Sequence, residues 1–127
     1  MAPFIFIDRI SRGIPIKQYG DGTSQRDYTY VSDIVQGIVG AIENPQPYEI
    51  YNLGNSDPVK LSEFIQIIEE SVGKKAEIEV IGLQPGDVQI TYADVAKARK
   101  YLGYDPKISF REGISKTVDW YNELSES

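Results

Sequence analysis

The sequence predicts a small mixed α/β domain. Segments whose apolar residues recur at helical spacing alternate with short runs rich in β-branched and aromatic residues, and Gly13, Gly73 and Gly103 stand where the period changes. With 127 residues, 41% of them hydrophobic and 25% charged, the chain has the length and balance of one globular domain, 1–127, able to bury roughly two-thirds of its unfolded surface.

Pro3 suits a first helical turn, and Phe4, Ile7 and Ile10 carry a helix over about residues 3–12 to a stop at Gly13. Ile14–Tyr19 reads as extended and enters the turn-rich tip Gly20-Asp21-Gly22-Thr23-Ser24; Arg26–Val31 leaves it as a second extended piece. Ser32 is placed to cap a helix ending at Asn44 before Pro45. Its Ile34, Val35, Ile38, Val39 and Ile42 surround the axis, so that helix requires cover on more than one side. Tyr48–Gly54 alternates as a strand. Ser62 is expected to cap a helix with Phe64, Ile65, Ile68 and Val72 on one face, closed by Gly73. Ala76–Ile81 is a further strand, Gln84–Asp87 a turn, and Asp94–Leu102 a helix with Gly103 as its stop. Ser109 and Glu112 have the spacing of a capping box at the head of the last helix, which presents Ile114, Val118 and Tyr121.

The residues that are absent narrow the chemistry. The chain has no His and no Cys, which removes imidazole bases and ligands, thiol nucleophiles, disulfides and zinc–thiolate sites. A net charge of -6 argues against nucleic acid and anionic membranes as partners, and the longest apolar run, Ile38–Ile42, is far too short to cross a bilayer. A reducing cytoplasm is the default compartment.

Three features could carry function. Arg26 follows the glycine-rich tip and can aim a planar, permanently charged fork at a phosphate, although a surface pair with Asp27 or Asp33 is the commoner arrangement for such an Arg. Gln84-Pro85-Gly86-Asp87 is a turn that presents a carboxylate to hydroxyl groups, a role that many such turns do not have. Tyr19, at a strand end, could stack on a base or simply pack at a sheet edge. Gly37-Ile38-Val39-Gly40 lies mid-helix and reads as helix packing, not as a dinucleotide loop.

Taken in order, Gly20–Ile34, Tyr51-Asn52-Leu53-Gly54, Gln84-Pro85-Gly86-Asp87-Val88 and Gly113–Tyr121 resemble the C-terminal part of NAD-dependent nucleotide-sugar epimerases and dehydratases, members of the extended short-chain dehydrogenase/reductase family. The Gln84–Val88 wording is most similar to the UDP-glucuronate 4-epimerase branch. The resemblance implies a substrate-binding lobe without the complete Rossmann half. It implies that Arg26 contacts the nucleotide diphosphate, that the strand of Lys17 and Tyr19 pairs through its backbone with the uracil edge, and that Asp87 binds nucleotide hydroxyls. Gln84 replaces an Arg found in relatives and removes a second cation from the diphosphate.

The family's glycine-rich NAD loop and its catalytic Tyr-x-x-x-Lys have no counterpart. None of the nine Tyr residues is followed four positions later by Lys. The chain is therefore expected to bind a UDP-sugar, to carry no catalytic residue and to bind no NAD by itself, NAD being implied for the complete enzyme. Its expected partners are the missing nucleotide-binding half or a second copy. A sister dehydratase or decarboxylase, or a stand-alone binding module, is the competing reading.

Overall fold

The structure, a computed structural model, describes residues 2–82 and 89–126. Helix α1 (Ala2–Arg12) leads into strand β1 (Ile16–Tyr19); β2 (Gln25–Arg26) and α2 (Val31–Glu43) follow. Next come β3 (Val59–Lys60), α3 (Leu61–Val72), β4 (Ile78–Ile81), α4 (Ala96–Leu102) and α5 (Phe110–Glu126). This is the mixed α/β class expected.

Helix spacing places Ile7, Ile10, Phe64, Ile65, Ile68, Ile114 and Val118 on the facing sides of α1, α3 and α5, where they form one buried cluster with Ile16 and Val59. Phe64, fully buried, sits among the rings of Phe6, Tyr28 and Phe110 at centroid separations of 5.2, 4.9 and 5.3 Å. A second, smaller cluster of Val95, Ala98 and Tyr104 packs with Tyr51, Leu53, Ala93 and Leu102. The α3 and α4 helices end where the glycine stops fall, with Gly73 and Gly103 at φ 81° and 64°, a region that L side chains rarely adopt. The Ser109 hydroxyl accepts the Glu112 N–H at 3.1 Å, as the capping-box spacing requires.

Among the described residues the strands form two short sheets. β1 pairs parallel with β4, Ile16 opposite Ile78 and Tyr19 opposite Ile81; β2 pairs antiparallel with β3, Gln25 opposite Lys60 and Arg26 opposite Val59.

Four local expectations are corrected. The second extended piece stops at Arg26, because Tyr28 turns inward onto Phe64 and Tyr30 becomes the N-cap of α2. Ser32 is not that cap: the Tyr30 carbonyl already accepts the Asp33 and Ile34 N–H groups. Ser62 does not cap α3 either, since Leu61 and Ser62 donate their amides to the carbonyls of Ser24 and Gly22 at 2.8 and 3.0 Å. Tyr48–Gly54 is not a strand. Among the described residues no strand lies beside it, so its ladder has no partner, and Tyr48 and Ile50 are 81% and 64% exposed.

Helix α2 turns its small and polar side inward. Asp33, 2% exposed, accepts the Lys107 and Ile108 N–H groups at 2.9 and 3.0 Å, one on each oxygen, and Gln36 exchanges two hydrogen bonds with the Asp105 backbone. Asp33→Ala is expected to lower unfolding free energy by about 2 kcal/mol, because it leaves two part-buried amides without their acceptor. Urea denaturation measures this, and a loss below about 1 kcal/mol would mean that water replaces the carboxylate.

Candidate functional site

The tip between β1 and β2 is built by short-range chemistry. Asp21 Oδ1 accepts the Thr23 N–H and hydroxyl at 3.1 and 2.5 Å, and these bonds hold the Asp21 carboxyl below its ordinary range. The amides that open α3 then fix the tip from below, through Ser24 and Gly22.

The ladder decides which way β1 faces. Ile16 N–H bonds Glu77 O at 2.8 Å and Gly20 N–H bonds Ile81 O at 2.6 Å, so residues of even number direct their peptide groups toward β4. The peptide groups of Lys17 and Tyr19 point to the opposite edge, and their side chains share the face away from buried Ile16. Among the described residues no strand lies along that edge.

Arg26 sits on β2 with its backbone register held by Val59. Its Nη1 donates to the Gln25 carbonyl at 2.7 Å. The surface pair with Asp27 or Asp33 does not form, because both carboxylates are taken up by main-chain amides. Among the described residues the guanidinium meets no carboxylate. Burial pushes the neighbouring Tyr28 hydroxyl above its ordinary pKa, and the Arg26 charge partly opposes that rise.

Gln84 and Asp87 lie outside the described residues. Their flanks do not: β4 ends beside Gly20, and the chain resumes with the Gln89 carbonyl accepting the Gln25 N–H at 2.7 Å and Thr91 N–H donating to Gln25 O at 3.1 Å. Tyr19 and Lys17 thus share a strand edge, and Arg26 occupies the next strand after the tip. No spacing rule singled out Asp27, whose three amide partners come from distant loops. The described residues contain no grouping of His, Cys, Asp or Glu able to hold a metal ion, and none of their helices is long and apolar enough to cross a membrane.

Residues 4–117 match the family model described as GDP-mannose 4,6 dehydratase. The chain belongs to this family. Its relatives within the extended short-chain dehydrogenase/reductases include the UDP-glucuronate 4-epimerase of Thermodesulfobacterium geofontis, 43% identical over 99% of this chain and 39% of that protein. The fold is similar to the UDP-glucose 4-epimerase of Thermotoga maritima with UDP-glucose, at a TM-score of 0.91 and 30% identity, covering 98% of this chain and 40% of that one. It is also similar to the UDP-glucuronic acid 4-epimerase of Bacillus cereus in complex with UDP-glucuronic acid and NAD, at a TM-score of 0.89 and 31% identity, with coverage of 98% and 40%. The chain therefore spans about 40% of the length of the family members it matches.

Proposed function

We propose that this chain is the nucleotide-sugar-binding portion of an NAD-dependent 4-epimerase acting on UDP-glucuronate or UDP-glucose, and that it does not turn over substrate by itself. The observation that carries the reading is Arg26, held in a strand register with no carboxylate partner among the described residues, one tip away from a strand edge whose Lys17 and Tyr19 peptide groups face outward. A guanidinium fork suits a diphosphate, and outward N–H and C=O groups suit the donor and acceptor edge of uracil. Asp87 would take nucleotide hydroxyls, and Gln84 would add a neutral contact. The Bacillus cereus enzyme holds UDP-glucuronic acid and NAD together, which supports a shared site in the complete protein.

NAD does not fit the residues described here. The Leu61 and Ser62 amides that open α3 are engaged by tip carbonyls, α2 carries the acidic Asp33 in its first turn, and Ser109 takes the Glu112 amide of α5, an arrangement that disfavours a pyrophosphate at these helix starts. Redox chemistry at the sugar is supplied by NAD and by residues outside this chain, whose own part is to bind and orient the nucleotide. The remaining polypeptide of the complete protein, or a second copy, would cover α2.

Calorimetric titration with UDP is the test. Weak saturable binding is expected, about ten-fold or more weaker in Arg26→Ala, since a charge-assisted bond contributes roughly 1.5 to 3 kcal/mol. Equal affinities in two folded proteins would sink the assignment of Arg26. The family model's dehydratase description favours a second reading, a sister enzyme using a guanine nucleotide. Preference for GDP over UDP would select it.

A further inference from the structure

Asp27 adjoins the proposed diphosphate contact, yet its carboxylate faces away from any ligand role. Oδ1 accepts the Asn55 N–H at 3.2 Å, and Oδ2 accepts those of Ser56 and Ala93 at 2.9 and 3.0 Å. Three of about four lone-pair positions are thus filled by main chain, leaving little capacity for a sugar hydroxyl. The two loops it gathers are far apart in the chain, one following the Tyr51–Gly54 segment and the other preceding α4.

The junction is tightly built. A Cβ on Gly54 would stand 2.5 Å from the Ala93 Cβ and 2.8 Å from Asp27 Oδ2, so only glycine lets the three approach. The Tyr104 hydroxyl closes the far side by donating to the Gly54 carbonyl at 2.7 Å. Ser56 is held at φ 54°, a left-handed conformation unfavourable for a residue with a side chain, and its N–H is one of the three that Asp27 takes.

Arg26 is bracketed by this arrangement. On one side Gln25 bonds Gln89 and Thr91 through its N–H and carbonyl, and that carbonyl also receives the Arg26 guanidinium. On the other side Asp27 bonds Ala93, so residues 25 and 27 are both tied to the same passing segment. We propose that Asp27 is a positioning residue for Arg26: by clamping the Asn55–Ser56 turn and Ala93 to the end of β2, its carboxylate fixes the direction in which the Arg26 fork leaves the strand. This rests on the reading of Arg26 as the diphosphate contact.

A double-mutant cycle separates this role from a general structural one. UDP affinity is measured by calorimetry for the wild type, Arg26→Ala, Asp27→Asn and the double variant, each shown to be folded by circular dichroism. Acting through Arg26, Asp27→Asn should weaken UDP about five- to ten-fold in the wild-type background and less than about two-fold when Arg26 is already absent. An equal loss in both backgrounds, or no loss in either, overturns the inference. Arg26→Ala binding as tightly as wild type is a different result, which removes the diphosphate reading itself. Should Asp27→Asn not fold, Asp27→Glu completes the cycle. It keeps the charge but moves the oxygens by one methylene, and the same non-additivity is expected.

Discussion

Sedimentation velocity at micromolar concentration is expected to show this chain associating with itself, and Ile38→Glu combined with Ile42→Glu is expected to return it to a monomer. On α2, Val31, Val35, Ile38 and Ile42 are 64, 49, 50 and 70% exposed and follow one another at intervals of four, three and four residues, the spacing of a helix-pairing seam. Val39 widens the stripe. Beside it, an open apolar hollow of about 340 Å³ lies between Gly37, Ile38, Ala41 and Ile42 of the helix and Tyr51, Leu53 and Leu102. The five aliphatic residues expose roughly 400 Å² of apolar surface per copy, the size of the largest patch on a typical monomer, which is often a contact surface. Burying it on two copies contributes on the order of 20 kcal/mol at about 25 cal/mol per Å², against an association cost of about 4 to 15 kcal/mol. Both substituted positions are exposed, so the charges should leave the core intact. A wild-type chain that stays monomeric across the concentration range would show that this surface is satisfied without a partner.

Phe64→Ala is expected to produce the largest loss of stability of any single substitution considered, about 3 to 5 kcal/mol. The ring is fully buried on α3 and touches α1 through Phe6, α5 through Phe110 and the approach to α2 through Tyr28. Truncation leaves a cavity bounded by three aromatic rings whose positions are set by separate elements, so collapse around it is restricted. For a domain of this size such a loss is a large part of the total stability. Tyr28 lies two residues from Arg26, and removing its stacking partner should also loosen the strand that carries the guanidinium. A fall in the urea midpoint at unchanged slope, together with weaker UDP binding, is the expected pair of results. A loss below about 1 kcal/mol would mean that the rings close over the gap.

Much of this was legible residue by residue. The α1, α3, α4 and α5 helices follow from apolar spacing and from stops at Gly13, Gly73 and Gly103, and Ser109 caps α5 as its spacing to Glu112 requires. These signals lie within a turn or two of chain and can be read without knowing which element the apolar face packs against. The family, too, was readable: the resemblance carried by the tip, the Tyr51–Gly54 segment and the late turn agrees with a family model that matches residues 4–117.

Partner choice was not legible. Tyr48–Leu53 alternates like a strand, but a strand exists only beside another, and the described residues supply none. Two-residue β3 carries no period at all and is defined by its pairing with β2. Charge adjacency suggested that Arg26 would pair with Asp27 or Asp33; instead, amides 28 and 66 residues distant claim the first carboxylate and amides 74 and 75 residues distant claim the second. Composition and local period therefore determined the helices and the excluded chemistries, and the resemblance of ordered motifs pointed to the family. Tertiary structure decided who owns each carboxylate, which edge of β1 stays open and which face of α2 looks outward, because a hydrogen bond or a buried face belongs to two segments at once and only folding brings the second one near.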